Sequence, residues 1–177
     1  AGTDSTGPYA LENLRSLTSD YYTFDFLPET NKYYNGGSGG ASFWQNGAGD
    51  GGKYLDCLTY WNRAVIGTET NVQMDFTINS NTFDTNRYDF EAFIKVVNVG
   101  GGSSYIETNL NLNGVTSGLY TLSLPADYGP YVGAPLQAGF RVSGTNANPA
   151  NAASYGGANV TASVYLPLPC DPMAPRP

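Results

Sequence analysis

Along most of this chain apolar and polar residues alternate with a period of two. Tyr22, Phe24 and Phe26 alternate with Thr23 and Asp25, and Val72, Met74, Phe76 and Ile78 alternate with Gln73, Asp75, Thr77 and Asn79. Successive side chains of a β-strand point to opposite faces, so each run predicts a strand with one buried and one wet face. The same pattern covers residues 106–113, where Ile106, Thr108, Leu110 and Leu112 share a face, and residues 120–124, 136–143 and 160–168. Residues 90–99 are denser in apolar side chains, as a strand covered on both faces should be. Residues 53–61 and 42–45 complete a set of about nine strands bounded by turn chemistry. The turns are marked by Asn35-Gly36, Asn46-Gly47, the glycines at 100–102, Asn113-Gly114, Ser117-Gly118 and Gly156-Gly157.

Only the first twenty residues depart from this period. Leu11, Leu14 and Leu17 recur every three residues after Gly7-Pro8, which predicts a short helix over residues 8–17. Short strands without βαβ alternation define an all-β chain, a two-sheet antiparallel sandwich of jelly-roll or Greek-key type with a short N-terminal helix or extension. The expected organisation is an N-terminal extension over residues 1–20, a sandwich over 21–168 and a Pro-rich tail over 169–177. Proline offers no N–H to a ladder, so the tail should run along the surface.

Composition narrows the function classes. Charged residues make up only 13% of the chain, and the net charge of -7 comes without any basic run, which argues against a nucleic-acid partner. No apolar run approaches the roughly 20 residues that cross a bilayer as a helix. The chain opens at Ala1 without Met or an apolar leader. That is the form an exported protein takes after processing, so the expectation is a secreted protein, extracellular or at the cell surface. Cys57 and Cys170 fit an oxidising compartment and are expected to be bridged. A bridge closing a loop of roughly a hundred residues contributes about 4 to 5 kcal/mol in the chain-entropy account.

There is no histidine, which excludes Ser-His-Asp and Cys-His catalysis. Gly36-Gly37-Ser38-Gly39-Gly40 satisfies G-x-S-x-G, but it has no base and lies in a glycine run too flexible for a strained nucleophile elbow. Paired carboxylates for glycoside hydrolysis could come from Asp56, Asp75, Asp89 and Glu91, each of which has a simpler role as a solvated strand residue. The expectation is a chain without catalytic activity. Calcium is the cofactor its chemistry admits, because Asp50, Asp56, Asp84 and Asp89 offer hard oxygen ligands. The aromatic inventory points to binding: Trp44, Trp61, Tyr34, Tyr131 and Tyr155 lie in strands and loops where a ring could stack on a sugar or anchor an interface. Trp44 and Trp61 could equally be core residues of adjacent strands. Asn159-Val160-Thr161 has the form of an N-glycosylation acceptor inside a predicted strand.

Two functions remain, from different classes. In its charge-poor, Gly-, Asn-, Ser-, Thr- and Tyr-rich composition and its sandwich architecture, the chain resembles the secreted β-sandwich subunits of bacterial and archaeal surface filaments. That resemblance implies copies of the chain as partners, assembled into a filament, pilus or coat by a terminal segment that completes a neighbour's sheet, as in donor-strand complementation. Tyr9, Leu11, Leu14 and Leu17 are then the candidate anchors. The chain also resembles carbohydrate-binding modules in its strand count, its loop aromatics and the stretch from Val132 to Phe140. That resemblance implies a polysaccharide as partner.

Overall fold

The computed structural model describes residues 3–4, 7–8, 12–18, 21–27, 54–98, 100, 103–145 and 152–165. Eleven strands run through them: β1 (Thr3–Asp4), β2 (Gly7–Pro8), β3 (Glu12–Thr18), β4 (Tyr21–Leu27), β5 (Tyr54–Ala64), β6 (Asn71–Asn81), β7 (Tyr88–Val97), β8 (Ser104–Asn111), β9 (Gly118–Pro125), β10 (Pro135–Thr145) and β11 (Ala158–Tyr165). Among the described residues, helix is confined to two 3-10 turns, Gly129–Tyr131 and Ala152–Tyr155. β1 and β2 pair with each other. The other strands form a four-stranded sheet in the order β5-β10-β7-β8 and a five-stranded sheet in the order β3-β4-β11-β6-β9, antiparallel throughout.

The inner faces follow from the alternation. β6 contributes Val72, Met74, Phe76 and Ile78, and β7 contributes Phe90, Ala92, Ile94 and Val96, all buried. β10 adds Leu136, Ala138, Phe140 and Val142, while β11 adds Val160 and Ala162. The sheets meet ring to ring. Phe140 of the four-stranded sheet sets its edge against Phe76 of the five-stranded sheet, with centroids 5.3 Å apart at 85°, and lies 5.9 Å from Phe90 on its own sheet. Phe76 in turn stacks on Tyr120 at 5.5 Å. Edge-to-face aromatic pairs contribute roughly 0.5–1.5 kcal/mol beyond the area they bury.

Buried polar groups tie the strand ends. Asn81 Nδ2 donates to Leu112 O (3.0 Å) while its Oδ1 accepts from Phe83 N, linking the end of β6 to the turn between β8 and β9. Tyr128 is fully buried and its hydroxyl donates to Leu124 O at 2.6 Å. Burial, followed by the nearby charge of Glu69, pushes that phenol up to about 12.

The helix expected over residues 8–17 is corrected by the structure. Gly7–Pro8 pairs with Thr3–Asp4, and Glu12–Thr18 is a strand whose register against β4 runs from Glu12 opposite Leu27 to Thr18 opposite Tyr21. A helix of about ten residues is marginal in water by itself, whereas the open edge of β4 presents a full row of N–H and C=O groups to pair with. Residues assigned to an N-terminal extension thus lengthen the five-stranded sheet. The strand expected at 42–45 and the tail at 169–177 lie outside the described residues.

Replacing Phe140 with Ala removes the ring that joins the sheets and is expected to cost about 3–5 kcal/mol in urea denaturation. A loss below about 1 kcal/mol would contradict its role as the link between them.

Candidate ligand-binding face

The strands that bury Phe140 and Phe90 inward present a second set of residues outward. Reading across β5, β10 and β7, Asp56 stands opposite Ser143 and Ser143 opposite Asp89; Leu58, Arg141 and Glu91 form the next row; Tyr60, Gly139 and Phe93 the next; Asn62, Gln137 and Lys95 the next. β8 extends three of these rows with Asn111 beside Glu91, Asn109 beside Phe93 and Glu107 beside Lys95. The outer face of the four-stranded sheet is therefore a grid of planar polar side chains with an aromatic row at its middle.

That row depends on a glycine. A Cβ at Gly139 would run into Thr59 O and Tyr60 Cα, so only glycine lets β5 and β10 approach this closely. Across the resulting gap the Tyr60 and Phe93 rings meet edge to face at 6.4 Å and 61°. Phe93 is only 1% exposed although it faces outward, so it serves as the floor on which the more accessible Tyr60 leans. Lys95 Nζ lies 4.6 Å from the Phe93 centroid, a cation-π contact.

The neighbouring row is electrostatically locked. Arg141 Nη2 lies 2.5 Å from Glu91 Oε1, and Arg141 Nε lies 3.8 Å from Asp56 Oδ1. The Glu91 contact is an ion pair without hydrogen-bond alignment, since Glu91 Oε1 has no hydrogen-bond partner. Ser143 Oγ donates to Asp56 Oδ1 at 2.9 Å. Burial raises the Glu91 carboxyl above the usual carboxylate range against the pull of Arg141, and the charges of Glu107, Asp56 and Asp89 push the same way. Burial likewise lowers the Lys95 amine, against the pull of Glu107. Asn109 Nδ2 donates to Glu107 Oε1 (3.0 Å) and Thr108 O (2.9 Å) once its amide is turned to satisfy both.

The two ends of the sandwich differ. Where Tyr54 meets Thr145, a cleft of ≈ 440 Å³ is bordered by Asp84, Arg87, Asp89 and Tyr155. The Arg87 guanidinium carbon sits 4.0 Å from the Tyr155 centroid, and Tyr54 is 66% exposed. At the opposite end Tyr131 packs on Tyr105 with centroids 5.2 Å apart, beside the exposed Ile66 and Val132. The loop carrying Ile66 is fastened by the buried carboxylate of Glu69. It accepts from Arg63 Nη2 (2.7 Å), Ile66 N (3.0 Å) and Gly67 N (2.7 Å), with Gly67 at a φ of 89. Burial pushes the Glu69 carboxyl up, but the backbone N–H groups of Ile66, Glu69 and Gly67 and then the charge of Arg63 pull harder, and it ends below its ordinary value.

The outer face of the five-stranded sheet is of another kind. Asn79 Nδ2 donates to Asn159 Oδ1 (2.6 Å) and Thr161 Oγ1 (3.1 Å), and Asp75 Oδ1 accepts from Gln73 and Thr121. A hollow of ≈ 400 Å³ lies over this ladder beside the exposed Leu119. Asn159 of the acceptor triplet thus sits within a strand paired on both sides.

The residues singled out from sequence are scattered over this frame. Tyr155 and Tyr131 lie at opposite ends of the sandwich. Trp61 packs against the core, in keeping with the alternative that made it a core residue. Of the calcium candidates, Asp56 and Asp89 flank Ser143, and Asp84 accepts from Asn86 N and Nδ2 in a turn of its own. Asp89 accepts from Asn113 Nδ2. No group of three His, Cys, Asp or Glu placed to hold a metal occurs among the described residues. Leu14 stands opposite Asp25 and Leu17 opposite Tyr22 within β3. Cys57 lies in β5 opposite Val142. Tyr9, Leu11, Tyr34, Trp44, Asp50 and Cys170 fall outside the described residues, and with Cys170 the expected bridge. Sequence reading missed Tyr60, Phe93, Lys95, Asn109, Gln137 and Arg141 as one face. The alternation of β5 and β7 carried half of the signal; the strand order that sets them side by side is not written locally.

The paired sheets make the chain a two-sheet antiparallel β-sandwich of jelly-roll type. No protein-family profile matches it, and no curated protein matches it in sequence. Among solved structures it is similar to CBM28, a carbohydrate-binding module specific for non-crystalline cellulose, at 13% identity over 96% of this chain and 86% of that one with a TM-score of 0.40. It is similar to CBM27-1 of Caldicellulosiruptor saccharolyticus in complex with mannohexaose at 15% identity, over 92% of this chain and 85% of that one, with a TM-score of 0.38. It is also similar to broad bean stain virus at 9% identity and a TM-score of 0.30, covering 63% of this chain and 58% of the viral chain.

Replacing Glu69 with Ala is expected to cost about 2 kcal/mol at neutral pH, because two backbone donors and a guanidinium lose their acceptor. A carboxyl held below its unfolded value stabilises the fold above that value, 4.5, and the gain fades as pH falls through the folded one. The gap between wild type and variant in urea melts should therefore be full at pH 7 and shrink in acid. A gap that widens in acid would contradict this account of the loop.

Proposed function

We propose that the chain is a non-catalytic carbohydrate-binding module, acting outside the cell, that holds a glycan on the outer face of its four-stranded sheet. The observation that carries this reading is the grid itself: an accessible Tyr60 ring supported by Phe93 and surrounded by Asp56, Glu91, Asn109, Gln137 and Arg141. A sugar offers an apolar C–H face and a rim of hydroxyls. The ring suits the first, and planar amides, carboxylates and a guanidinium suit the second. Side chains already held by Arg141 and Ser143 lose little rotamer freedom on binding, which leaves more of the contact energy as affinity.

A second reading, self-assembly into a filament, pilus or coat, draws on a different observation. Ile66 and Val132, 51% and 65% exposed, stand beside the Tyr105–Tyr131 pair, Ile66 on a loop that Glu69 fastens and Val132 on the facing connection between β9 and β10. A rigid apolar projection with paired rings has the makings of an interface anchor. The terminal clasp suits the frame less well, since β3 is hydrogen-bonded into its own sheet.

Affinity electrophoresis through soluble polysaccharides, run in calcium and in EDTA, tests the first reading. The protein is expected to be retarded by at least one of them. Tyr60→Ala should weaken retardation at least ten-fold, about 1.4 kcal/mol, with the melting temperature held within a few degrees. Binding that survives both Tyr60→Ala and Asn109→Ala unchanged would contradict the assignment of the face. Sedimentation velocity tests the second reading. It requires a large particle that Ile66→Asp with Val132→Asp reduces to monomer, and a monomer at all concentrations would contradict it.

A further inference from the structure

We infer that the glycan taken by this face is uncharged. The inference rests on the binding reading above and adds the ligand class to it. The face carries four carboxylates, Asp56, Asp89, Glu91 and Glu107, and two cations, Lys95 and Arg141. One cation is ion-paired within the sheet and the other is drawn over an aromatic ring. Arg141 contacts Glu91 on one flank and reaches toward Asp56 on the other, while Lys95 stands opposite Glu107 with its ammonium drawn over the Phe93 ring. A uronate or sulfate group arriving here would meet an excess of negative charge, with Arg141 already ion-paired and Lys95 half-buried over Phe93 in the field of Glu107. Its own water shell would be lost without a matching gain.

A neutral sugar meets the opposite situation. Its hydroxyls donate as well as accept, and the face is rich in acceptors: the oxygens of four carboxylates and the amide oxygens of Gln137, Asn62 and Asn111. The carboxylates that repel an acidic glycan are therefore the groups that receive a neutral one. Arg141 acts in this arrangement as a positioning residue that holds Glu91 and reaches toward Asp56.

The test is affinity electrophoresis of the intact chain through galactomannan, mixed-linkage β-glucan and arabinoxylan, against polygalacturonate and alginate, at 20 and 200 mM salt. The expected result is retardation by at least one neutral polymer and by neither acidic one. Glu91→Gln frees Arg141 from its ion pair, and Glu107→Gln, an exposed substitution, removes the carboxylate whose charge faces Lys95. Either should gain at least ten-fold in retardation by polygalacturonate, a gain that 200 mM salt erases. Wild-type binding to an acidic polymer above every neutral one would overturn the inference while leaving the glycan-binding reading in place. No gain in Glu107→Gln would overturn the role given to the carboxylates. Retardation by no polymer of either class would overturn the inference together with the reading it rests on.

Discussion

A slip of one residue in the pairing of β10 would turn Phe140 out to water and drive Arg141 into the core. β10 lies between β5 and β7, and its register against both decides everything built on the four-stranded sheet. Its inner row, Leu136, Ala138, Phe140 and Val142, closes on the other sheet, and its outer row, Gln137, Gly139, Arg141 and Ser143, forms the centre of the polar grid. Burial of the first row fixes the second. The site is thus as rigid as the core, because the same backbone hydrogen bonds hold both.

How much of this was legible in the sequence depended on how local each feature is. β6 could be read almost residue by residue, because Val72, Met74, Phe76 and Ile78 alternate without a break and are all buried. β7 was legible as a strand from Phe90, Phe93 and Ile94, but it is not covered on both faces as its apolar density suggested: Asp89, Glu91 and Lys95 face outward and only Phe93 is buried on that side. The segment ending at Leu17 misled, since three leucines at a spacing of three fit a helix, and the open edge beside Tyr21–Leu27 that captures them is created by tertiary structure. The face resisted for the same reason. Tyr60, Phe93 and Arg141 are successively separated by 33 and 48 residues in the chain, and only the order β5-β10-β7 brings them into adjoining rows. Tyr131 and Tyr155 are both rings near glycine in sequence, yet antiparallel pairing sends them to opposite ends of the sandwich.

Charge divides the surface into regions with different uses. The grid on the four-stranded sheet is polar, ordered and acidic in excess, whereas the Asn79–Thr161 ladder on the other sheet satisfies its own hydrogen bonds around Asp75. The projecting Ile66 and Val132 are apolar, and Glu69 fastens the loop that carries Ile66. A binding face and a contact point can therefore coexist without sharing residues, and a module carrying both could hold a glycan while touching a neighbour.

The central claim concerns where a ligand sits, and a ¹H–¹⁵N correlation titration of the intact chain with oligosaccharides cut from a retarding neutral polymer reads that position directly. Amide shifts should concentrate at Tyr60, Glu91, Phe93, Asn109, Gly139 and Arg141 and leave Ile66 and Val132 unmoved. Shifts confined to the loop around Ile66, or to the hollow beside Asp75 and Leu119, would contradict the account.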